Sequence, residues 1–187
     1  YTATGRAIYT VVGLGMFVTG ALVASRSIEY VTKRFDAWLN PFDDAHYNAI
    51  GGSYQLVQGL FGFAHGGLLG AGLGGGVPQL VPLAESDFII ASLAEELGLA
   101  GIFVVFTLYV LLVGRGMRIA FNHSDEFSKL LSIGLSFVVA LQCFIVIGGV
   151  TRIVPLTGLT TPFLAAGGSS LVANWIIVGL ILRISDT

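Results

Sequence analysis

Four charge-free runs decide what this chain can fold into. Ala7 to Ser25 holds 19 uncharged residues, Leu97 to Val113 holds 17, Leu130 to Thr151 holds 22 and Ile153 to Leu182 holds 30. A helix crosses the hydrocarbon core of a bilayer with about 20 apolar residues. The first and third runs fit as they stand. The second is short by a turn, so its helix is expected to begin near Phe88 and to carry Glu95 and Glu96 inside the membrane or at its edge. The fourth is too long for one span and contains Pro155 and Pro162. Its helix is therefore expected from Leu164 onward, after a re-entrant or looped segment. The expected architecture is an all-α polytopic membrane protein with spans near 7–25, 88–113, 129–150 and 164–184, and one long loop, 26–87.

Composition agrees. Only 11% of the 187 residues are charged, where a soluble domain carries about a quarter. The net charge is −2, so neither a nucleic-acid binder nor an ordinary cytosolic enzyme fits. The single cysteine, Cys143, lies inside an apolar run; it excludes an internal disulfide and reads as membrane-buried packing. The chain opens at Tyr1 without the charged n-region of a signal peptide, and reads as part of a longer protein.

The loop is not featureless. Ile28, Val31, Phe35, Trp38 and Leu39 recur at helical spacing among Arg26, Glu29, Lys33, Arg34 and Asp36, and Asn40-Pro41 ends the pattern. Tyr47, Ile50, Tyr54, Val57 and Phe61 form a second stripe of the same period. Residues 28–39 and 47–61 are expected to be short amphipathic helices at the membrane surface. Gly66 to Gly76 then reads GGLLGAGLGGG, too rich in glycine for a stable helix. It formally contains G-x-G-x-x-G, but a dinucleotide fold needs a strand before it and a helix after it, and Pro78 and Pro82 follow instead. A hinge, or a close approach of something to the main chain, is expected instead.

Four spans place both termini and the Gly114 to Ser128 connection on one side, with Arg6, Arg115, Arg118, Lys129 and Arg183. Arg26, Lys33, Arg34 and Arg152 lie on the other. The short connection carries Arg115 and Arg118, so the positive-inside rule puts the termini in the cytoplasm and loop 26–87 outside.

Asp87 is the first candidate for chemistry. It follows Pro82 and Ser86 at the outer start of a span, where Ser86 would cap the helix and the helix dipole would hold a carboxylate. The position suits a water-accessible base and equally a plain interfacial acid. Glu95 and Glu96 are costlier, since a charge at the centre of a span costs about 2.5–3.5 kcal/mol on insertion scales and normally faces a cavity or a partner. At 3.6 residues per turn Glu95 lies about 80° round the helix from Asp87 and Glu96 about 180° round. Glu95 is thus expected to share the cavity of Asp87 while Glu96 faces elsewhere. Arg152 reads as a partner for an acid, an anion contact or a snorkelling interfacial side chain. Gly167, Gly168, Ser169 and Ser170 open the last span, where small residues allow tight helix packing and the helix N-terminus suits a phosphate. His46, His65 and His123 lack metal-site spacing and read as loop or interface residues. Asn122-His123-Ser124 matches a glycosylation signal but falls in the loop assigned to the cytoplasm.

Three blocks together are recognisable: the glycines from Gly66 to Gly76, then PLAESDFIIASLAEELGLAG from Pro82 to Gly101, then GGVTRIVPLTGLTTPFLAAGGSSL from Gly148 to Leu171. In order and spacing they resemble the SEDS family of FtsW and RodA proteins, matching its C-terminal part. The resemblance implies that the spans are the last four of a larger set and that 26–87 is the family's large extracytoplasmic loop. It implies a peptidoglycan glycosyltransferase of the bacterial cytoplasmic membrane that polymerises lipid II, a disaccharide-pentapeptide on undecaprenyl diphosphate. The family's catalytic Asp falls on Asp87, a general base for the acceptor hydroxyl, with inversion at the anomeric carbon. Ser86, Glu95, Arg152, Gly167, Gly168, Ser169 and Ser170 are then substrate-contact candidates. A divalent cation, Mg²⁺ or Mn²⁺, or arginines would offset charge on the leaving diphosphate. The family's usual partner is a class B penicillin-binding transpeptidase. Two departures stand out: Ala165-Ala166 replace the usual Ser before the glycine pair, and the family's earlier spans are absent. Two rival functions keep the same cavity or fold, a flippase for lipid-linked precursors and a membrane scaffold for the transpeptidase.

Overall fold

The computed structural model describes residues 7–48 and 52–186, the side chain of His46 excepted. Arg6, Ile50 and residue 51 of the expected features thus lie outside the described residues. Among those described there are seven α-helices and no strand. They are α1 (Ala7–Ser27), α2 (Glu29–Leu39), α3 (Asp44–Tyr47), α4 (Tyr54–Gly66), α5 (Ile89–Asn122), α6 (Glu126–Val150) and α7 (Gly168–Ser185). Helices α1, α5, α6 and α7 are long and apolar enough to cross a membrane. The chain divides into two units, Tyr1–Tyr54 and Gln55–Thr187.

In the first unit α1 has no buried residue; a helix apolar on every side has lipid or other membrane helices as its surroundings. The helix path continues into α2 almost without a gap. Ile28 N–H donates to Ala24 O at 3.0 Å, and the Thr32 hydroxyl donates back to Ser25 O at 2.8 Å. Along α2 the Arg34 guanidinium lies 4.8 Å from the centre of the Tyr30 ring, and Lys33 pairs with Glu29 at 2.8 Å. Proline stops the helix where the sequence placed its end, and the buried Ser53 hydroxyl donates to Pro41 O at 2.5 Å.

The second stripe is not one helix. Tyr47 ends α3, Gly52 and Ser53 form a bend, and α4 covers only the later part of 47–61 before running on to Gly66. The buried face of α4 also differs from the expected one: Leu56, Val57, Gly59, Gly62 and Gly66 are buried, while Phe61 stays 54% exposed. Between membrane helices no hydrophobic force selects large apolar side chains, and small residues that let backbones approach take the contact. A Cβ on Gly59 would come within 2.8 Å of the Phe88 ring, and one on Gly66 within 2.0 Å of Ala94 O.

In the second unit α5 and α6 form an antiparallel hairpin joined by three residues, and α7 packs against both. Helix α5 runs to Asn122, nine residues past the expected end, so Gly114 to Asn122 is helix and not connection. A charge-free window measures the apolar slab, whereas Arg115 and Arg118 are good helix formers outside it. Helix α6 starts at Glu126, capped by Asp125, whose carboxylate accepts from Ser128 N–H at 2.8 Å. Helix α7 starts four residues later than expected. Phe163 has φ 63° and Gly167 N–H turns back to Ala165 O at 2.8 Å, so residues 162–166 turn and bend before the helix begins.

The main departure from a regular bundle lies inside α5. Gly98 adopts φ 68° and ψ −172°, a region almost confined to glycine. The helical pairing of Leu99 and Ala100 with Glu95 and Glu96 is lost there, and the glycine loop replaces it. Leu99 and Ala100 N–H donate to Gly67 O and Leu68 O at 2.9 and 3.1 Å, while Ala71 and Gly72 N–H donate to Glu95 O and Glu96 O at 2.9 and 3.0 Å. Four backbone groups freed by the break, the N–H of Leu99 and Ala100 and the C=O of Glu95 and Glu96, are thereby paired again, as membrane depth requires. What approaches the glycine main chain is α5 itself.

Candidate active site

The segment before α5 is held from three directions. The Phe88 side chain is fully buried against Val81, Ala91 and Val150. The Gln55 amide of α4 donates to Pro82 O at 2.6 Å, and Ala166 N–H, from the turn before α7, donates to Glu85 O at 2.8 Å. This last bond joins the second and third of the sequence blocks that carry the family resemblance. Asp87 sits between these anchors, half-buried, just outside the helix.

Ser86 is not a helix cap. Phe88 occupies that position and makes no side-chain cap bond; the Ser86 hydroxyl lies 2.7 Å from Asp87 Oδ1 and 3.1 Å from Leu83 O. A hydroxyl aimed at the carboxylate orients it, which a cap would not do. Leu83, at φ 56°, makes the tight turn that brings Ser86 back over its own chain. Left-handed backbone at a non-glycine residue costs about 1–2 kcal/mol, and it recurs at Arg152 (φ 64°) and Phe163 (φ 63°). All three lie in the blocks around Asp87 or after α6.

Because Asp87 precedes α5, the expected angular relation to Glu95 and Glu96 does not apply. An open cavity of about 620 Å³ lies between residues 78–85 and the first turns of α5, with Gln79, Glu85, Ser92 and Glu96 as its polar lining. Glu96 therefore faces this space. The Ser92 hydroxyl is buried without a hydrogen-bond partner among the described residues, and such a group calls for a ligand or water. Glu95 turns the other way: its side chain, 7% exposed, lies 2.9 Å from His65 Nδ1 and accepts from Val77 N–H at 3.1 Å. His65 closes α4 and Val77 follows Gly76, so one carboxylate pins both ends of the glycine loop. His65 is thus a partner of Glu95, which spacing alone did not reveal; an acid inside a span, needing a donor, was the available signal.

Beyond α6 the chain is irregular until α7. Ile153 and Val154 N–H both donate to Gly148 O, at 2.7 and 3.1 Å, and the Gln142 amide donates to Thr160 O at 2.9 Å. The Tyr109 hydroxyl donates to Pro162 O. Gly167 caps α7 without a side-chain bond. Ser170 Oγ accepts from Asn174 at 3.3 Å and Gln142 at 3.4 Å, which makes it a structural link, while Gly168 and Ser169 are exposed. Gln142 and Asn174 were absent from the sequence candidates, although amides inside apolar runs signal interhelical bonding. Among the described residues no three His, Cys, Asp or Glu side chains gather as a metal site.

An all-α membrane unit with a broken helix, a glycine loop laid into the break and a half-buried acid, Asp87, just before that helix defines the class to which comparison can be made. The FtsW/RodA/SpoVE family model, described as cell cycle protein, matches residues 1–187, and the chain belongs to this family. It is 51% identical over 185 residues to the peptidoglycan glycosyltransferase RodA of Mycobacterium bovis, covering 99% of this chain and 39% of that protein. It is 38% identical over 176 residues to stage V sporulation protein E of Bacillus subtilis, covering 93% of this chain and 46% of that one. A chain in a solved peptidoglycan synthase complex that coordinates polymerization and crosslinking superposes with a TM-score of 0.70 at 25% identity, over 95% of this chain and 48% of that one. The chain thus spans less than half the length of these relatives.

Proposed function

We propose that this chain supplies the acceptor-activating part of a peptidoglycan glycosyltransferase, with Asp87 as general base on lipid II. The observation that carries the reading is the bond from Ala166 N–H to Glu85 O, which sets the turn before α7 beside the Ser86–Asp87 pair. Asp87 Oδ takes the proton of the acceptor sugar hydroxyl as that oxygen attacks the anomeric carbon of the donor. The bond to undecaprenyl diphosphate breaks, and the configuration inverts. Ser86 orients the base. Arg152 and the exposed N–H groups of Gly168 and Ser169 at the start of α7 meet the growing negative charge on the diphosphate. Glu96, not Glu95, lies beside the sugar-sized cavity. The protein works in the bacterial cytoplasmic membrane with loop 26–87 outside, beside a class B penicillin-binding transpeptidase; the solved synthase complex supports that partner.

The test is polymerisation of purified lipid II by the full-length protein with its transpeptidase, comparing wild type with Asp87→Asn. Asn keeps size and an acceptor oxygen but takes no proton at neutral pH. General-base catalysis contributes about 10²–10⁴ in rate, so long glycan disappears from the gel while insertion and partner binding persist. Normal polymer length from the variant removes Asp87 from the mechanism and turns the reading toward a flippase or a scaffold.

A further inference from the structure

The far end of α5 from Asp87 holds a second cavity, about 320 Å³, among the last turns of α5, the connection to α6 and the end of α7. We propose that it binds a phosphate group of net negative charge at the membrane surface. Arg115 and Arg118 line it with Asn122, His123 and Ser185, and Ile184 forms part of the wall. The two arginines are three residues apart on one helix and share a face. Among the described residues neither guanidinium takes part in an ion pair or a side-chain hydrogen bond. Both guanidiniums are therefore available to an anion, and their charge has to outweigh the partial negative charge of the carbonyls at the ends of α5 and α7. Of the nearby acids, Asp125 is committed to capping α6 through Ser128 N–H, Glu126 is exposed in the first turn of α6, and Asp186 is exposed beyond α7.

Depth selects the ligand class. Arg115 follows the charge-free run by one residue, which sets its head at the level of lipid phosphates, and basic pockets between membrane helices on one face bind such headgroups. Two guanidiniums with hydroxyl and amide donors satisfy several phosphate oxygens, and the apolar wall suits the start of an acyl chain. The source is either a phospholipid headgroup or free phosphate.

Native mass spectrometry of the purified full-length protein decides this, with phosphatidylglycerol or phosphatidylcholine as the probe. Wild type retains phosphatidylglycerol in preference. Near a charged surface each arginine is worth roughly a factor of 5, so Arg115→Gln with Arg118→Gln weakens retention about 25-fold. Arg183→Gln, outside the cavity lining, leaves it unchanged. The double Lys variant restores part of the binding, which separates lost charge from lost fold. Inorganic phosphate that displaces the lipid assigns the site to the bare anion; phosphate without effect assigns it to the headgroup. Equal retention of the two lipids by wild type, or undiminished phosphatidylglycerol on the double Gln variant, overturns the proposal.

Discussion

Gly98→Ala tests whether the break in α5 is built into the site. In the observed backbone, φ 68° and ψ −172°, alanine costs about 1–3 kcal/mol from conformation alone. A Cβ there would also lie 2.3 Å from Gly70 N and 2.6 Å from Leu68 O, both main-chain atoms that no rotamer change can move away. In a straight helix the same change gains about 1 kcal/mol. The balance between broken and straight α5 therefore moves by roughly 3 kcal/mol before the clash is counted, a factor of over 100. A straight α5 pairs Leu99 and Ala100 with Glu95 and Glu96 again and expels the glycine loop. Hydrogen–deuterium exchange reads this directly: Ala71 and Gly72 amides, which donate to Glu95 O and Glu96 O in the native state, lose protection while Leu99 and Ala100 keep theirs. Polymerisation by the full-length protein falls although Asp87 is untouched. Gly134→Ala, where a Cβ meets nothing within 4 Å, is the matched control and keeps loop protection. Native exchange at Ala71 and Gly72 in the Gly98→Ala protein would refute the argument.

Three further outcomes follow from the same geometry. Glu95→Ala removes a buried carboxylate that holds His65 and Val77 N–H; hydrogen bonds to a charged group are worth about 1.5–3 kcal/mol, so the melting temperature falls and protease nicks the glycine loop, while Glu95→Gln, which keeps an acceptor, is milder. Asp125 sits below the ordinary carboxylate range, chiefly because Ser128 N–H donates to it. Its stabilisation is therefore present above the unfolded Asp value, near pH 4, and lost as pH falls through the lower folded value, so melting curves of wild type and Asp125→Ala converge in acid. For topology, cysteine at Leu80 is labelled from outside the cell and cysteine at Asn122 only after permeabilisation; external labelling at Asn122 inverts the orientation.

The number of spans, their approximate places and the amphipathic character of residues 28–39 were legible in the sequence, because bilayer thickness and helical period act on local composition. The Asp87 block was singled out through its resemblance to a family and not through its charge pattern. Tertiary structure alone decided which acid does what. Helical spacing already set Glu95 and Glu96 on different faces, but what each meets there was decided by the break at Gly98 and the glycine loop that enters it, which brings Val77 N–H to Glu95. That loop also explains Gly66 and Gly70, whose need for glycine comes from carbonyls of residues 94 and 96, distant in sequence. Ser86 turned from a helix cap into a partner of Asp87 because the start of α5 is fixed by burial of Phe88. Such pairings depend on backbone groups that every residue shares. No pattern of side chains announces them until the chain has folded.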